Sequence, residues 1–251
     1  MIPKNVYYTH ENNEKVKMFQ DKLDYSKSKN ENYKFIFYDD NARIKFIKEN
    51  FPEFYEFYKR INKGYGAAKA DIFRVLILYK YGGIYIDCKT QIENMDELFL
   101  KYPNKNLYTC SFKKDDRILN SVNKITGTKY QNFFIATEQK GEVISAIKDE
   151  MFYRLRSYGR IKLNKKIRFL SKIFNHGSET SGALAVYIYT GPFIFTQIIE
   201  NFSNSVFDVA LADKQYVIYN SHCSFIRRLI SERKYYNKSY HFNKLPLLTD
   251  V

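Results

Sequence analysis

Short apolar runs alternate with amphipathic stretches along the first third of the chain. "NVYYTH" (5–10) has the make-up of a first strand, and "NEKVKMFQDKL" (13–23) places its apolar residues at helical spacing. "SKSKNEN" (26–32) is polar and reads as a loop, while "YKFIFYDD" (33–40) is a second apolar strand closing on two acids. "NARIKFIKENFPEFYEFYKRI" (41–61) predicts two helices parted near Pro52, with Asn41 suited to the N-cap. "GYGAAKADIFRVLILYKYGG" (64–83) predicts a helix that opens after a glycine turn and stops at Gly82 and Gly83. Strand, helix, strand, helix, helix, strand is the rhythm of a three-layer α/β sheet. Further strands are expected at 106–112 and 132–138, a helix at 141–157, and two short strand-like runs at 206–211 and 215–222. No internal repeat and no long linker interrupts the pattern, so the expectation is one domain over 1–251.

Between Asp71 and Gly82 the predicted helix is apolar nearly all round, through Ile72, Phe73, Val75, Leu76, Ile77, Leu78 and Tyr79, as in a buried helix. Asp71 and Arg74 interrupt it and, three residues apart, share a face. Two charges in such a helix either line a cleft or pair with each other, and the residues alone leave both readings open. In "GIYIDCKT" (83–90), Ile84, Ile86 and Cys88 point one way and Tyr85, Asp87 and Lys89 the other. On a continuous strand Asp87 and Lys89 would lie about 6.6 Å apart on one side of the sheet. Strand C-termini of an open α/β sheet are where ligands collect. A turn cap beside a solvated lysine is the plainer alternative.

Composition narrows the partners. Formal net charge is +14, from 41 basic and 27 acidic residues, which favours nucleotides, nucleic acid or acidic lipid. Aromatics reach 18% with no Trp, but heavy joint use of Lys, Asn, Tyr, Ile and Phe is also what an AT-rich coding sequence produces. Cys88, Cys110 and Cys223 are scattered without C-x-x-C spacing, so neither a zinc site nor a redox pair is indicated. The first residues have no signal-peptide core, and no run approaches the ~18 consecutive apolar residues of a membrane span. A soluble, cytoplasmic protein is expected, peripheral on a membrane at most.

"AAKADIFRVLILYKYGGIYIDCKT" (67–90) resembles the signature of the DXD-containing sugar transferases of glycosyltransferase family 32, relatives of initiation-specific mannosyltransferases and glucosylating toxins. "IPKNVYYT" (2–9), "FIFYDDNARIKFI" (35–47), "NFFIATEQKGEVI" (132–144), "YTGPFIFTQ" (189–197) and "YNSHCSF" (219–225) resemble further family segments in the same order. The resemblance implies a GT-A fold, one Rossmann-like mixed sheet flanked by helices that binds a nucleotide-diphosphate sugar. It implies transfer with retention to a glycan or glycolipid acceptor. Carried over, Asp71 and Arg74 would hold the sugar and ribose, Asp87 the ribose or a divalent metal, and His222 the diphosphate or metal. Tyr85, Gly82, Gly83 and Thr190 complete the implied donor-binding set, and Asp87, Lys89 and Arg74 the catalytic one.

Lys89 departs from the family pattern, which has a second Asp there. A protonated Lys cannot ligate Mn2+ or Mg2+, yet it places positive charge where the metal's would be. Three readings stand: a metal on Asp87 and His222 with waters, Lys89 in the metal's place, or a non-catalytic descendant. Asp39 and Asp40 fit a base contact or a loop cap, His10 a structural role, and "HGSETSG" (176–182) a connecting loop or one over a sugar. The basic, apolar-interleaved stretch 154–172 fits a solvated helix face or one touching anionic lipid. A nucleic-acid-holding module would explain the charge and the tyrosines, but not Asp71, Arg74 and Asp87 around two glycines.

Overall fold

The computed structural model describes residues 1–111, 128–161, 165, 178, 180–219 and 245–249. Along the chain these form β1 (Asn5–Thr9), α1 (Asn13–Lys17), α2 (Gln20–Ser28), β2 (Lys34–Tyr38), α3 (Asp40–Asn50), α4 (Pro52–Tyr58), α5 (Gly66–Tyr81) and β3 (Gly83–Ile86). Then come β4 (Thr90–Ile92), α6 (Met95–Lys101), β5 (Leu107–Ser111), β6 (Tyr130–Thr137), α7 (Glu142–Arg156), α8 (Gly182–Tyr189), α9 (Pro192–Asn201), β7 (Val206–Asp208) and β8 (Val217–Tyr219).

Six strands make one mixed sheet in the order β2-β1-β3-β6-β5-β7. β1 runs parallel to β2 and β3, and β6 is antiparallel to both β3 and β5. Period-two alternation divides the core: Tyr7, Tyr85 and Ile135 join the helices α3, α4, α5, α7, α8 and α9 on one face. Val6, Tyr8, Ile84, Ile86, Phe134 and Ala136 pack on the other face with Val16, Leu23, Met95 and Leu98. The apolar α5 is the centre of the first layer, with Ile72, Phe73, Val75, Leu76, Ile77 and Leu78 fully buried. Pro52 opens α4 at its first turn, as the sequence implies.

Tertiary contacts redraw several expected boundaries. The helix expected at 13–23 is two, α1 and α2, parted at Phe19 with φ −120° and ψ 13°. Of the polar stretch 26–32, residues 26–28 end α2 and 29–32 are the expected loop, and together they form a seam. Ser26 Oγ accepts from Ile92 N (3.1 Å), while Asn30 donates to Glu93 O (2.9 Å) and accepts from Met95 N (2.9 Å). These bonds cross more than sixty residues and hold β4 and α6, neither of which local pattern predicts. The N-cap of α3 is Asp39, whose carboxylate accepts from Ala42 N at 2.8 Å, rather than Asn41. β2 ends at Tyr38, where Thr9 Oγ1 donates to its carbonyl (2.6 Å), so the helix begins two residues early.

β3 stops at Ile86, and residues 87–90 form a turn closed by Thr90 N donating to Asp87 O (2.8 Å). β4 then pairs with β8 in a separate two-stranded sheet. The period-two placement of Lys89 beside Asp87 on a continuous strand therefore fails, because there is no strand at 87–89. The 20-residue segment Gly182–Asn201 has the length and hydropathy of a membrane span, but 72% of it is buried in the molecule. It is broken into α8 and α9 at Thr190 and Gly191 and serves as core.

Candidate functional site

The parallel strands β1, β2 and β3 bring their C-terminal ends together, the place where open α/β sheets collect ligands. Thr9 bonds the end of β2, and Cys88 Sγ reaches Thr9 O at 3.4 Å, so the turn after β3 is fastened to the end of β1. Burial and then Asp87 push the Cys88 thiol up to about 12, and its side chain lies in the core with Ile84 and Ile86 as the alternation predicts.

Arg74 is the hub. Its guanidinium donates to Asp87 Oδ1 (3.1 Å), pairs with Asp71 Oδ1 (3.3 Å), donates to the carbonyl of Asn132, and lies 4.6 Å over the Tyr85 ring. Tyr85 Oη donates to the same Asp87 oxygen at 3.1 Å. Behind them, Asp71 accepts from Asn132 Nδ2 (2.8 Å) and from Thr190 Oγ1 (3.1 Å). The two charges in the buried helix do pair, and they also reach partners on three other segments. Burial lifts the Asp71 carboxyl to about 6, against the pull of Arg74. Burial would lower Arg74, but Asp87, Tyr85 and Asp71 together hold its pKa above the ordinary value. Burial, opposed by Arg74, raises the Tyr85 hydroxyl far above its usual range, so it stays protonated and donating.

Exposure separates the roles. Asp71 and Arg74 are 4% exposed, and Tyr85 and Thr190 are fully buried, whereas the Asp87 side chain is 30% exposed. The network reaches solvent through Asp87. Asp71, Arg74, Tyr85 and Thr190 lie behind Asp87 and hold it in place. Gly82 and Gly83 sit at the opposite end of β3 from Asp87. Gly83 has φ +100° and an added Cβ would lie 2.6 Å from Asn5 O, so the need for glycine is backbone packing between β3 and β1. Gly82, at φ +65°, caps α5 with its N–H on Leu78 O (2.7 Å).

The motif's usual metal is carried by two carboxylates two residues apart. Here the described donor set is Asp87, with Oδ1 already bonded by Arg74 and Tyr85, and the half-buried Lys89 where the second acid would stand. Among the described residues no three His, Cys, Asp or Glu gather as a metal site. A hard divalent cation is drawn to sites of net negative charge, and a single carboxylate whose Oδ1 is engaged, flanked by the cations Arg74 and Lys89, is a poor charge match for it. His222, the other expected ligand, lies outside the described residues.

Two cations that the motif does not announce stand beside this end of the sheet. Arg43, in the first turn of α3, is 2% exposed and pairs with Asp40, and its Nε has no acceptor among the described residues. A buried N–H left so costs about 1–3 kcal/mol. Lys69, in the first turn of α5, is half-buried, with its Nζ 5.7 Å over the Tyr58 ring and no ion pair among the described residues. Burial, then Arg43 and Lys63, lower its pKa. Arg43 also weighs on His10, Tyr85 and Cys88, which places its charge among the ends of β1 and β3. His10 itself is lowered by burial and accepts from Glu11 N at its Nδ1 (2.9 Å), a structural contact. Asp39 is a helix cap. Arg154, expected on a surface face of 154–172, is instead buried, donating to Ile188 O (2.8 Å) and pairing with Glu150 (2.6 Å). Most of that stretch, like His176, lies outside the described residues. Asn132 was invisible as a site residue from spacing alone, because it lies sixty-one positions from the Asp71 it bonds.

The sheet order and the acid at the end of its third parallel strand define a GT-A fold. The catalytic domain of alpha-toxin from Clostridium novyi is similar at TM-score 0.52 and 12% identity, over 94% of this chain and 81% of that one, and that likeness speaks for the fold alone. Residues 14–106, which include Asp71, Arg74, Asp87 and Lys89, match the family model described as a glycosyltransferase sugar-binding region containing DXD motif. The matched segment is similar to these DXD-type glycosyltransferases, with Asp87, Cys88 and Lys89 standing at the motif. It is 29% identical over 103 residues to the mannosyl phosphorylinositol ceramide synthase SUR1 of Saccharomyces cerevisiae, covering 41% of this chain and 26% of that one. It is 34% identical over 71 residues to inositol phosphoceramide mannosyltransferase 3 of Schizosaccharomyces pombe, covering 28% and 19%. The chain thus matches about a quarter or less of the length of these curated relatives.

Proposed function

We propose that the protein transfers a sugar from a nucleotide-diphosphate sugar to a glycan or lipid-linked acceptor. The observation that carries this reading is the Asp87 carboxylate, held by Arg74 and Tyr85 at the C-terminal end of β3 as the exposed tip of a buried network. In the reaction, the bond from the anomeric carbon to the diphosphate oxygen breaks and its electron pair leaves with the nucleoside diphosphate. The acceptor hydroxyl oxygen bonds that carbon, and its proton passes to the departing phosphate or to solvent. Retention of configuration is the expectation carried by the family resemblance. Asp87 is the group that meets the donor, and Arg74 is a positioning residue that sets its orientation and offsets its charge. The two yeast relatives, both named for mannosyl transfer to inositol-bearing ceramides, favour a lipid-linked acceptor and a mannose donor.

Release of free nucleotide from a library of UDP-, GDP- and CMP-sugars tests the reading, beside thermal shift with a single-stranded oligonucleotide. One donor family should be hydrolysed, and Asp87→Ala should abolish that turnover with the fold intact, since the side chain is partly solvated. Normal turnover in the variant refutes the site assignment. Stabilisation by the oligonucleotide alone overturns the glycosyltransferase reading.

A further inference from the structure

We propose that the donor diphosphate is bound, and its leaving charge offset, by the side-chain cations Lys89, Arg43 and Lys69 without a divalent metal; the proposal rests on the glycosyltransferase reading above. Three parallel strands end here, and three cations belong to segments at this end: Arg43 in the first turn after β2, Lys89 in the turn after β3, and Lys69 in the first turn of the helix that carries Asp71 and Arg74. The carboxylates at this end are largely spoken for, Asp40 by Arg43 and both Asp71 and Asp87 by Arg74.

Two observations point to an anionic acceptor that the described residues do not supply. Arg43 is almost wholly buried, yet its Nε has no acceptor among the described residues. Lys69 is half-buried against a tyrosine ring, with burial and two neighbouring cations opposing its charge and no carboxylate paired to it among the described residues. A nucleoside diphosphate answers both needs. A divalent cation would add charge to a position already flanked by Arg74 and Lys89, which raises rather than lowers the local excess. When the anomeric bond breaks, the electron pair stays on the departing diphosphate, and these ammonium and guanidinium groups are the charge that receives it. No oxidant or further reactant is required.

Calorimetric titration of UDP, GDP, TDP and ADP, and of the matching nucleosides, into the full chain tests this, once with EDTA and once with Mn2+. At least one diphosphate should bind equally in both. Lys69→Gln should weaken that diphosphate at least tenfold while leaving its nucleoside unchanged, a split that a structural role would not produce. Lys89→Asp, which restores the family's second acid, should weaken binding at least tenfold in EDTA and recover with Mn2+. Wild-type binding that is lost in EDTA and restored by Mn2+ overturns the proposal and leaves the glycosyltransferase reading intact. Unchanged diphosphate affinity in both variants overturns it too. Binding of no nucleoside diphosphate under either condition overturns both the proposal and the reading beneath it.

Discussion

Asp71→Asn should change how the stability of the fold depends on pH, in a direction that the buried site dictates. The native carboxyl is lifted from its ordinary 3.8 to about 6, so the folded state holds this proton more tightly than the unfolded chain does. The sign follows: the contribution to stability is fully present in acid, below the unfolded value, and is lost as pH rises through about 6. At about 1.4 kcal/mol per pKa unit the whole effect is about 3 kcal/mol, of which about 2 kcal/mol falls between about pH 4.5 and pH 7.5. An asparagine carries no such proton. Its amide oxygen can still accept from Thr190 or Asn132, and Arg74 keeps Asp87 and the Asn132 carbonyl. Urea unfolding of both proteins at several pH values measures the difference directly. Relative to wild type, the variant should gain about 2 kcal/mol on going from about pH 4.5 to about pH 7.5, because only the wild type ionises a buried group over that range. A difference that stays constant with pH, or that moves the other way, refutes the claim that burial outweighs Arg74 at Asp71.

Two further changes separate orientation from packing. Tyr85→Phe removes one of the two donors on Asp87 Oδ1; it should cost about 1 kcal/mol in urea unfolding, because the partly exposed carboxylate regains water, and should lower kcat more than it raises KM. Unchanged kcat would mean that the hydroxyl does not orient Asp87. Gly83→Ala meets Asn5 O at 2.6 Å from a φ of +100°, so it should cost more than about 1 kcal/mol in stability while folded molecules keep wild-type donor affinity. Loss of donor affinity at full stability would instead assign Gly83 to the ligand.

Much was legible locally. The apolar α5, the alternation of Ile84, Ile86 and Cys88 against Tyr85, and the Pro52 break are all properties of residues within one or two turns of each other, and the chain's own covalent geometry enforces them. The pairing of Asp71 with Arg74 belongs to the same class, being fixed by helix pitch.

Only the folded chain decides what those groups do. β4 and α6 exist because Ser26 and Asn30, more than sixty residues away, bond their backbone, and that pairing ends β3 at Ile86 and turns Lys89 off the strand. Asn132 and Thr190 reach Asp71 across sixty-one and one hundred and nineteen positions, and their bonds together with burial make the difference between a surface ion pair and a buried network. Exposure is likewise a tertiary quantity: it leaves Asp87 partly open to solvent and sets Asp71, Arg74, Tyr85 and Thr190 behind it. The sequence by itself determined which residues carry charge and which helix and strand bear them, because propensity and periodicity act over a few residues. Which charges meet, and which is left facing a ligand, was decided by contacts between segments that only the packed sheet brings within bonding distance.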